Sequence, residues 1–437
     1  MKMFRDPIHN VIDLDTGDKR LNQLIVDLID SSEFQRLRYI KQLGFAFFAY
    51  PSGVHTRFEH SLGVAFMAKR FIDKVLSIEE KTLEQHKGAE HKVILADFFE
   101  KVRRHRGATI VAALLHDIGH GTLSHITEHL LDVHHEDWSR EIIEGETEIN
   151  HLLVEFDKNF PQDVLGILGG NETYPSAKII AGQVDVDKID YLLRDSYMTG
   201  SGYGRFDVEW LLNVLAIGIK DGAVEIGLDE GKGLSVAEDF IMARIYMFQN
   251  VYFHKISLLA QGMLKLMFER IRELGQKEAE QLFPNKSFAC LFFSPKREAR
   301  ELLGDFLEVT DLELFGLIKH LTKAEDEVLK VLADGLLNRR LFKQAPQGDT
   351  QALRGFIGAS REKYYMLELG GEVLHEKLSY TLGRDKVFLF DKAGTSHEIH
   401  EKSSIIPPRA INLNFRKGYY VEAKALAEFI KTNTSQS

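Results

Sequence analysis

The sequence predicts a mainly α protein in two parts: a helical core over residues 1–270 and a smaller α+β region over 271–437. Three observations predict it. Through roughly the first 265 residues, apolar side chains recur at three- and four-residue spacings, the repeat of one helix face. The segment 109–118 (TIVAALLHDI) is apolar almost throughout, as in a helix buried on most sides. After about residue 275, Pro284, Pro295, Pro346, Pro407 and Pro408 interrupt the chain, and short β-branched and aromatic runs replace the helical repeat.

Element by element, residues 20–43 read as helix with a cap near Asp30–Ser32, and residues 58–76 repeat the pattern. The helix over 109–118 ends at Gly119 and Gly121, residues suited to a helix C-terminus. Residues 185–196, 207–219 and 235–273 carry the same period. The stretch 80–107, rich in Glu, Lys, Arg and His, reads as an exposed connection. KVFLFD (386–391) and KGYYVEA (417–423) read as strands, Gly370–Gly371 marks a turn, and the tail NTSQS is expected to fray.

Composition excludes several classes. The 437 residues carry 55 Lys+Arg against 65 Asp+Glu, a formal charge of −10, and 44% are hydrophobic, too many for a disordered chain. No uncharged apolar run is long enough to span a bilayer, and the N-terminus lacks an apolar signal region, so a cytoplasmic location is expected. A single cysteine, Cys290, excludes a disulfide framework and a cysteine-based zinc site. The acidic balance argues against general nucleic-acid binding. Histidine is distributed unevenly: of 18 in the chain, 12 fall between positions 51 and 151.

Those histidines fall in motifs. His55-Thr-Arg57-Phe58-Glu59-His60 is the first, and His116-Asp117-Ile-Gly-His120-Gly-Thr-Leu-Ser-His125 the second. His134-His135-Glu136-Asp137-Trp138-Ser139 follows, then Asp185-Val-Asp187-Lys188-Ile-Asp190-Tyr191-Leu-Leu-Arg194-Asp195. A His–Asp pair at the end of an apolar helix is costly unless paired or metal-bound. A mixed imidazole and carboxylate set suits Mn, Fe, Zn, Ni or Mg, with open positions for water and phosphate. Arg194, four residues after Asp190, is expected to pair with it.

The order His60, His116–Asp117, Asp187 matches the H…HD…D pattern of the HD superfamily of metal-dependent phosphohydrolases. RFEHSLGV, LLHDIGHGTLSH and VDKIDYLLRD, with FRDPIH and FQRLRYIKQLG, more closely resemble the deoxynucleoside triphosphate triphosphohydrolases. The resemblance spans roughly residues 1–260 and implies an HD-domain helical core. It also implies His60, His116, Asp117 and Asp187 as ligands of a divalent metal, with a possible further Mg on the nucleotide. Arg57 and Lys188 would meet phosphates, while His120, His125 and His135 line the reacting phosphate. Glu128, three residues after His125, could orient it as acid or base. The implied reaction converts a dNTP and water to a deoxynucleoside and inorganic triphosphate. A positioned acid that protonates the departing 5′ oxygen contributes about 10²–10⁴-fold.

The resemblance extends to sugar and base. Tyr191 and Asp195 follow Asp187 at four-residue steps; Tyr191 could stack under deoxyribose and Asp195 accept from its 3′-OH. Gln42–Leu43 match the dipeptide that contacts the 3′-OH and crowds the 2′ position. Arg244, Phe248, Tyr252 and Lys255 recur on one helix face; Phe248 and Phe253 depart from the family His and Gln. A regulatory site is implied as well. Asp30, Gln35 and Arg38 match a guanine-binding pattern, and Lys2, Met3 and Arg5 match a strand that helps bridge activator nucleotides between subunits. That implies a homotetramer, or dimer of dimers, activated by dNTP or GTP, although Trp210 stands where the family often has a basic residue. Two alternatives stay open: another HD nucleotide phosphohydrolase or phosphodiesterase, such as a guanosine tetraphosphate hydrolase, and a non-catalytic nucleotide sensor.

Overall fold

The computed structural model describes residues 2–86, 88–123, 133–294, 298–346, 349–369, 386–406 and 418–434. Helices dominate, with small sheets beside them, as the periodicity predicts. The predicted turn at Gly370–Gly371 lies outside the described residues.

The N-terminal segment forms a hairpin of β1 (Met3–Asp6) and β2 (Asn10–Asp13), in register Met3↔Asp13 to Asp6↔Asn10. Helix α1 (Lys19–Asp30) starts at Asp18, whose carboxylate accepts from the Arg20 and Leu21 amides. It buries Leu21, Leu24, Ile25, Leu28 and Ile29. Ser31 ends α1 and caps α2 (Ser32–Arg36) through the Phe34 amide. Helix α3 (Arg57–Ser77) opens on a Thr56/Glu59 capping box, and Phe58, Leu62, Val64, Ala65, Ala68 and Phe71 lie in the core.

The charged stretch after α3 is not an exposed connection. It forms α4 (Glu79–Gln85) and α5 (Ala89–Arg104), and α5 buries Leu95, Phe98, Phe99 and Val102. Four apolar residues at helical spacing outweigh the charges on its outer face. Helix α6 (Arg106–Leu115) is the buried apolar helix anticipated from its composition.

Helix α7 (His135–Glu144) follows, and helix α8 (Val186–Thr199) packs on α3, with shorter helices between α7 and α8. The expected helix over 207–219 divides instead into a short helix, Val208–Asn213, and strand β3 (Leu215–Lys220). β3 pairs antiparallel with β4 (Ala223–Asp229), and this pairing takes the Leu215–Ile217–Ile219 run out of helical geometry. The long apolar stretch that follows is likewise two helices, α9 (Glu230–Met247) and α10 (Lys255–Glu273), separated by a π-turn over Phe248–Tyr252.

Further on, α11 (Ala299–Leu307) stacks Phe306 on Trp138 of α7, ring centroids 4.1 Å apart. Next comes α12 (Asp311–Leu321). The remaining strands are β5 (Lys343–Gln344), β6 (Met366–Leu369), β7 (Phe388–Phe390), β8 (Ser396–Glu398) and β9 (Gly418–Val421). Strands β7 and β9 fall on the two predicted runs. They serve different sheets, ordered β3-β4-β7-β8 and β5-β9-β6.

Helices α3 and α8 touch at Gly63. A Cβ there would lie 1.9 Å from Asp190 Oδ1 and 2.5 Å from Arg194 Nη2. Neither side chain can yield, because both are buried and bonded to each other. Gly63→Ala is therefore expected to cost about 1–3 kcal/mol or more through overpacking. Urea denaturation monitored by circular dichroism checks this; unchanged stability would contradict the close packing described.

Candidate metal and nucleotide site

Three elements converge on one point. α3 supplies His60, the turn after α6 supplies His116 and Asp117, and the first turn of α8 supplies Asp187. The His60 and His116 Nε2 atoms are 3.2 Å apart. Asp187 Oδ1 is 3.1 Å from the first and 3.5 Å from the second. Ligand atoms of His60, His116 and Asp117 all lie within 4.8 Å of one another.

Hydrogen bonds set the tautomers. His60 Nδ1 donates to Asp190 Oδ2 at 2.8 Å, and His116 Nδ1 donates to the Ala113 carbonyl at 2.8 Å. Each ring thus turns an Nε2 lone pair toward the other, with a carboxylate between them. Convergent acceptors of this kind need a cation, and an imidazole–carboxylate donor set fits a divalent metal. Without metal a proton takes that place. Burial opposes charging of His60, but the Asp187 and Asp190 hydrogen bonds outweigh it and push the ring up to about 10. Asp187, despite burial, is held below the usual carboxylate range by His116 and His60. Asp117, despite burial, is held well below it by Arg57 and His116.

Asp190, one helical turn after Asp187, orders this center. It accepts from His60, from His9 Nε2 at 2.6 Å, and from Arg194 Nε at 2.8 Å and Nη2 at 3.0 Å. The Asp190–Arg194 pair is the one its spacing predicts. Arg194 also reaches Asp6 at 2.6 Å, tying the N-terminal hairpin to α8. The sequence marks Asp190 only as the partner of Arg194, not as the group that orients His60, and gives His9 no role; the three-residue step from Asp187 is the available signal for Asp190.

The other proposed phosphate residues surround the center. Arg57 hydrogen-bonds Asp117. Lys188 pairs with Asp185 at 2.5 Å and donates to the Gly182 carbonyl at 3.0 Å. Burial raises Asp185 to about 6, against the pull of Lys188. His120 stacks on His135, centroids 4.1 Å apart and nearly parallel. Burial, then Arg57, holds His120 well below its usual range, so its ring is neutral at pH 7. His125 and Glu128 lie outside the described residues.

Two distant residues pin the loop after the His–Asp pair. Buried Arg36 donates to the His120 carbonyl at 2.9 Å and to that of Val309 at 3.3 Å, with its guanidinium 4.4 Å over Phe306. Asp311, at the start of α12, accepts from Thr122 Oγ1 at 2.9 Å and the Leu123 amide at 2.8 Å through Oδ1, and from the Lys41 amide at 3.0 Å through Oδ2. Leu123 has φ +49, a left-handed conformation that an L-residue adopts only under such constraint. Arg36 falls within FQRLRYIKQLG but has no role assigned there, and Asp311 lies in none of the sequence motifs.

Beyond the candidate metal ligands, α8 continues into a second group. Asp195 accepts from Tyr252 OH at 2.8 Å and faces His55 Nε2 at 2.7 Å, a role for His55 that sequence reasoning did not find. Tyr191 and Tyr252 have ring centroids 6.1 Å apart, and burial raises the Tyr191 hydroxyl while nearby Arg244 opposes it. Arg244 lies 5.8 Å from the Phe248 ring, and Phe248 packs edge-on against Tyr252 at 5.1 Å. The Gln42 amide donates to the His55 carbonyl at 3.0 Å; its buried side-chain oxygen has no hydrogen-bond partner among the described residues. Leu43 packs half-buried on the core.

The residues matched to a regulatory site form their own cluster. Lys2 pairs with Asp30 on the surface, Met3 is exposed, and Arg5 donates to Asn10 at 3.1 Å. Gln35 donates to the Ile29 carbonyl at 2.6 Å and accepts from Arg38 Nε at 2.8 Å. Arg38 also lies 3.5 Å over the Phe58 ring. The exposed Trp210 donates from Nε1 to the Lys232 carbonyl at 3.1 Å. Among the described residues, no helix is long and apolar enough to cross a membrane.

Comparison with known proteins places this geometry. Residues 57–195 match the family described as HD domain, and residues 206–299 match the HD associated region. The uncharacterized protein YwfO of Bacillus subtilis is 33% identical over 345 residues, covering 78% of this chain and 71% of that protein. The deoxynucleoside triphosphate triphosphohydrolase SAMHD1 homolog of Dictyostelium discoideum is 32% identical over 213 residues, 46% of this chain and 37% of that protein. The crystal structure of a phosphohydrolase from Bacteroides thetaiotaomicron aligns with a TM-score of 0.76 at 25% identity, covering 96% of this chain and 99% of that one.

Two outcomes follow for the metal center. Asp190→Asn removes the charge that orients His60 and is expected to weaken metal affinity about 10–100-fold in the folded fraction. It should also destabilise the fold, by up to about 3–5 kcal/mol, because Arg194 loses one of its two buried carboxylate partners and keeps only Asp6. Titration with Mn²⁺ and urea denaturation measure the two effects; wild-type metal affinity would refute the orienting role.

The second outcome concerns protons. His60 titrates near 6.5 in the unfolded chain and at about 10 in the metal-free fold. Its contribution to metal-free stability is thus full below pH 6.5 and lost as pH rises toward 10. Metal must displace that proton, so affinity should rise with pH between 7 and 9, by at most about tenfold per unit. Calorimetry in buffers of different ionisation enthalpy should show roughly one proton released per ion from this ring; pH-independent affinity would contradict it.

Proposed function

Because the chain belongs to the HD-domain phosphohydrolase family, we propose that it is a metal-dependent deoxynucleoside triphosphate triphosphohydrolase. The observation that carries this reading is the order of groups along α8. The metal-type cluster sits at its first turn, and the Tyr191–Tyr252–Asp195 group lies one to two turns on. At 1.5 Å rise per residue, Asp187 and Asp195 are about 12 Å apart along the axis. That spacing suits a phosphate bound at one end and a nucleoside at the other.

His60, His116, Asp117 and Asp187 would hold the ion. A divalent ion there neutralises phosphate charge and lowers the pKa of bound water. Arg57 and Lys188, at the rim of this cluster, offer a fixed fork and a compact charge to phosphate oxygens. Each must exchange an internal carboxylate contact for the substrate, Asp117 for Arg57 and Asp185 for Lys188. His120, neutral and stacked on His135, is suited to hold a proton near the reacting phosphate. His125, with Glu128 three residues later in the sequence to orient it, is the preferred acid or base at the 5′ oxygen. Asp195, positioned by His55 and Tyr252, and the free oxygen of Gln42 can accept from a 3′-hydroxyl. Leu43 beside Gln42 leaves little room for a 2′-hydroxyl, a selection by exclusion.

Regulation belongs to the same reading: Asp30, Gln35 and Arg38, with Lys2, Met3 and Arg5, would take a guanine nucleotide or dNTP in a homotetramer. Their present mutual contacts are the ones an activator would replace.

Incubation of metal-replete protein with each dNTP and NTP, alone and with dGTP or GTP, is expected to release inorganic triphosphate from dNTPs. His116→Ala/Asp117→Ala should lower turnover at least about 10³-fold, the scale of losing several kcal/mol of metal-supplied stabilisation. Pyrophosphate or monophosphate as product would point to another HD phosphohydrolase. Mass photometry with and without dGTP checks assembly; unchanged mass and unchanged rate would refute the regulatory part.

A further inference from the structure

A second set of ligand-type side chains lies at the seam between α9 and the β7–β8 hairpin. One ligand atom each from Glu230, Asp391 and His397 falls within 4.8 Å of the others. Strand pairing brings them together. β4 runs parallel to β7 with Asp229 opposite Phe390, so the residues that follow, Glu230 and Asp391, leave their strands side by side. β7 runs antiparallel to β8 with Leu389 opposite His397.

The donor atoms divide into two kinds. One kind is held from outside. Glu230 Oε1 is 2.9 Å from Lys402 Nζ. Asp391 Oδ1 accepts the Ala393 and Thr395 amides, both at 2.8 Å. His397 Nδ1 is 3.4 Å from Glu401 Oε2. The other kind faces inward. Glu230 Oε2 is buried with no hydrogen-bond donor among the described residues, and it stands 3.5 Å from His397 Nε2. An imidazole backed by a carboxylate on its far nitrogen, and ligand carboxylates themselves hydrogen-bonded, form the outer shell that metal sites use to aim their ligands. Glu230, Asp391 and Glu401 against Lys402 carry a formal charge of −2 around His397, which a divalent cation would neutralise.

We propose that Glu230, Asp391 and His397 bind a divalent transition-metal ion at a site separate from the HD center. One imidazole and two carboxylates suit Zn²⁺ or Mn²⁺, with water completing the shell. The ion clamps the first turn of α9 to the β7–β8 hairpin. It thereby joins the helix that carries Arg244 to the C-terminal region, and its role is structural.

The test uses the full chain carrying His116→Ala/Asp117→Ala, stripped with chelator and titrated with Zn²⁺ and, separately, Mn²⁺. Calorimetry and metal analysis are expected to find one ion per chain, with a raised melting temperature. Adding His397→Gln or Asp391→Asn should abolish both, and Glu401→Gln should weaken binding about 10–100-fold. If that background does not fold, the parent chain is used and the readout is the loss of one bound ion on His397→Gln, with circular dichroism confirming the fold. Absence of an ion attributable to this site, or binding unaffected by both His397→Gln and Asp391→Asn, would overturn the proposal.

Discussion

The buried carboxylate of Asp190 is the contact on which the center depends. A charge so placed must be compensated, because an unpaired carboxylate in this interior would be too costly to keep ionised. Arg194, His60 and His9 together compensate it, and each comes with its own structural element. Through Arg194 the N-terminal hairpin is joined at Asp6. Through His60 the carboxylate determines which ring nitrogen faces the metal position. Gly63 is the steric condition for the arrangement, since any side chain there would occupy the place of the carboxylate.

A second constraint acts from the other side. The segment over residues 120–123 includes Leu123 in the left-handed region, a conformation that costs an L-residue of order 1–3 kcal/mol. Arg36 and Asp311 hold it by its backbone, and Asp311 also fixes the Lys41 amide next to Gln42. Burial lowers Arg36 to about 10 against the opposing pull of Asp311 and Glu313, while carbonyl contacts and the Phe306 face hold it in place. The loop that follows the His–Asp motif and the segment bearing the proposed sugar contact therefore share a support in α12. The C-terminal side of the chain thus contributes order to a site whose candidate ligands all lie before residue 190.

Sequence alone determined the helical class, because apolar spacing at three and four residues is a local property that packing seldom reverses. It also determined the ligand candidates, since His60, His116, Asp117 and Asp187 sit in motifs whose chemistry is unusual in any context. The Asp190–Arg194 pair was legible for the same reason: a four-residue step brings two charges together on one helix. Other readings needed what a local pattern lacks. Charge density made 80–107 look exposed, while four apolar residues on one face of α5 buried it. Residues 215–219 carry apolar spacing compatible with a helix, and only the pairing with β4 makes them a strand.

Tertiary structure decided what compensates each buried charge. His9 on Asp190, His55 on Asp195 and Asp311 beneath Leu123 are separated from their targets by 181, 140 and 188 positions. No periodicity spans such distances, because the contacts arise only after helices pack and water is excluded. The same holds for Glu230, Asp391 and His397, which strand register alone brings together. Sequence by itself determined which side chains are able to do chemistry; the packed fold decided which of them face one another, because the cost of burying a charge is settled by three-dimensional neighbours.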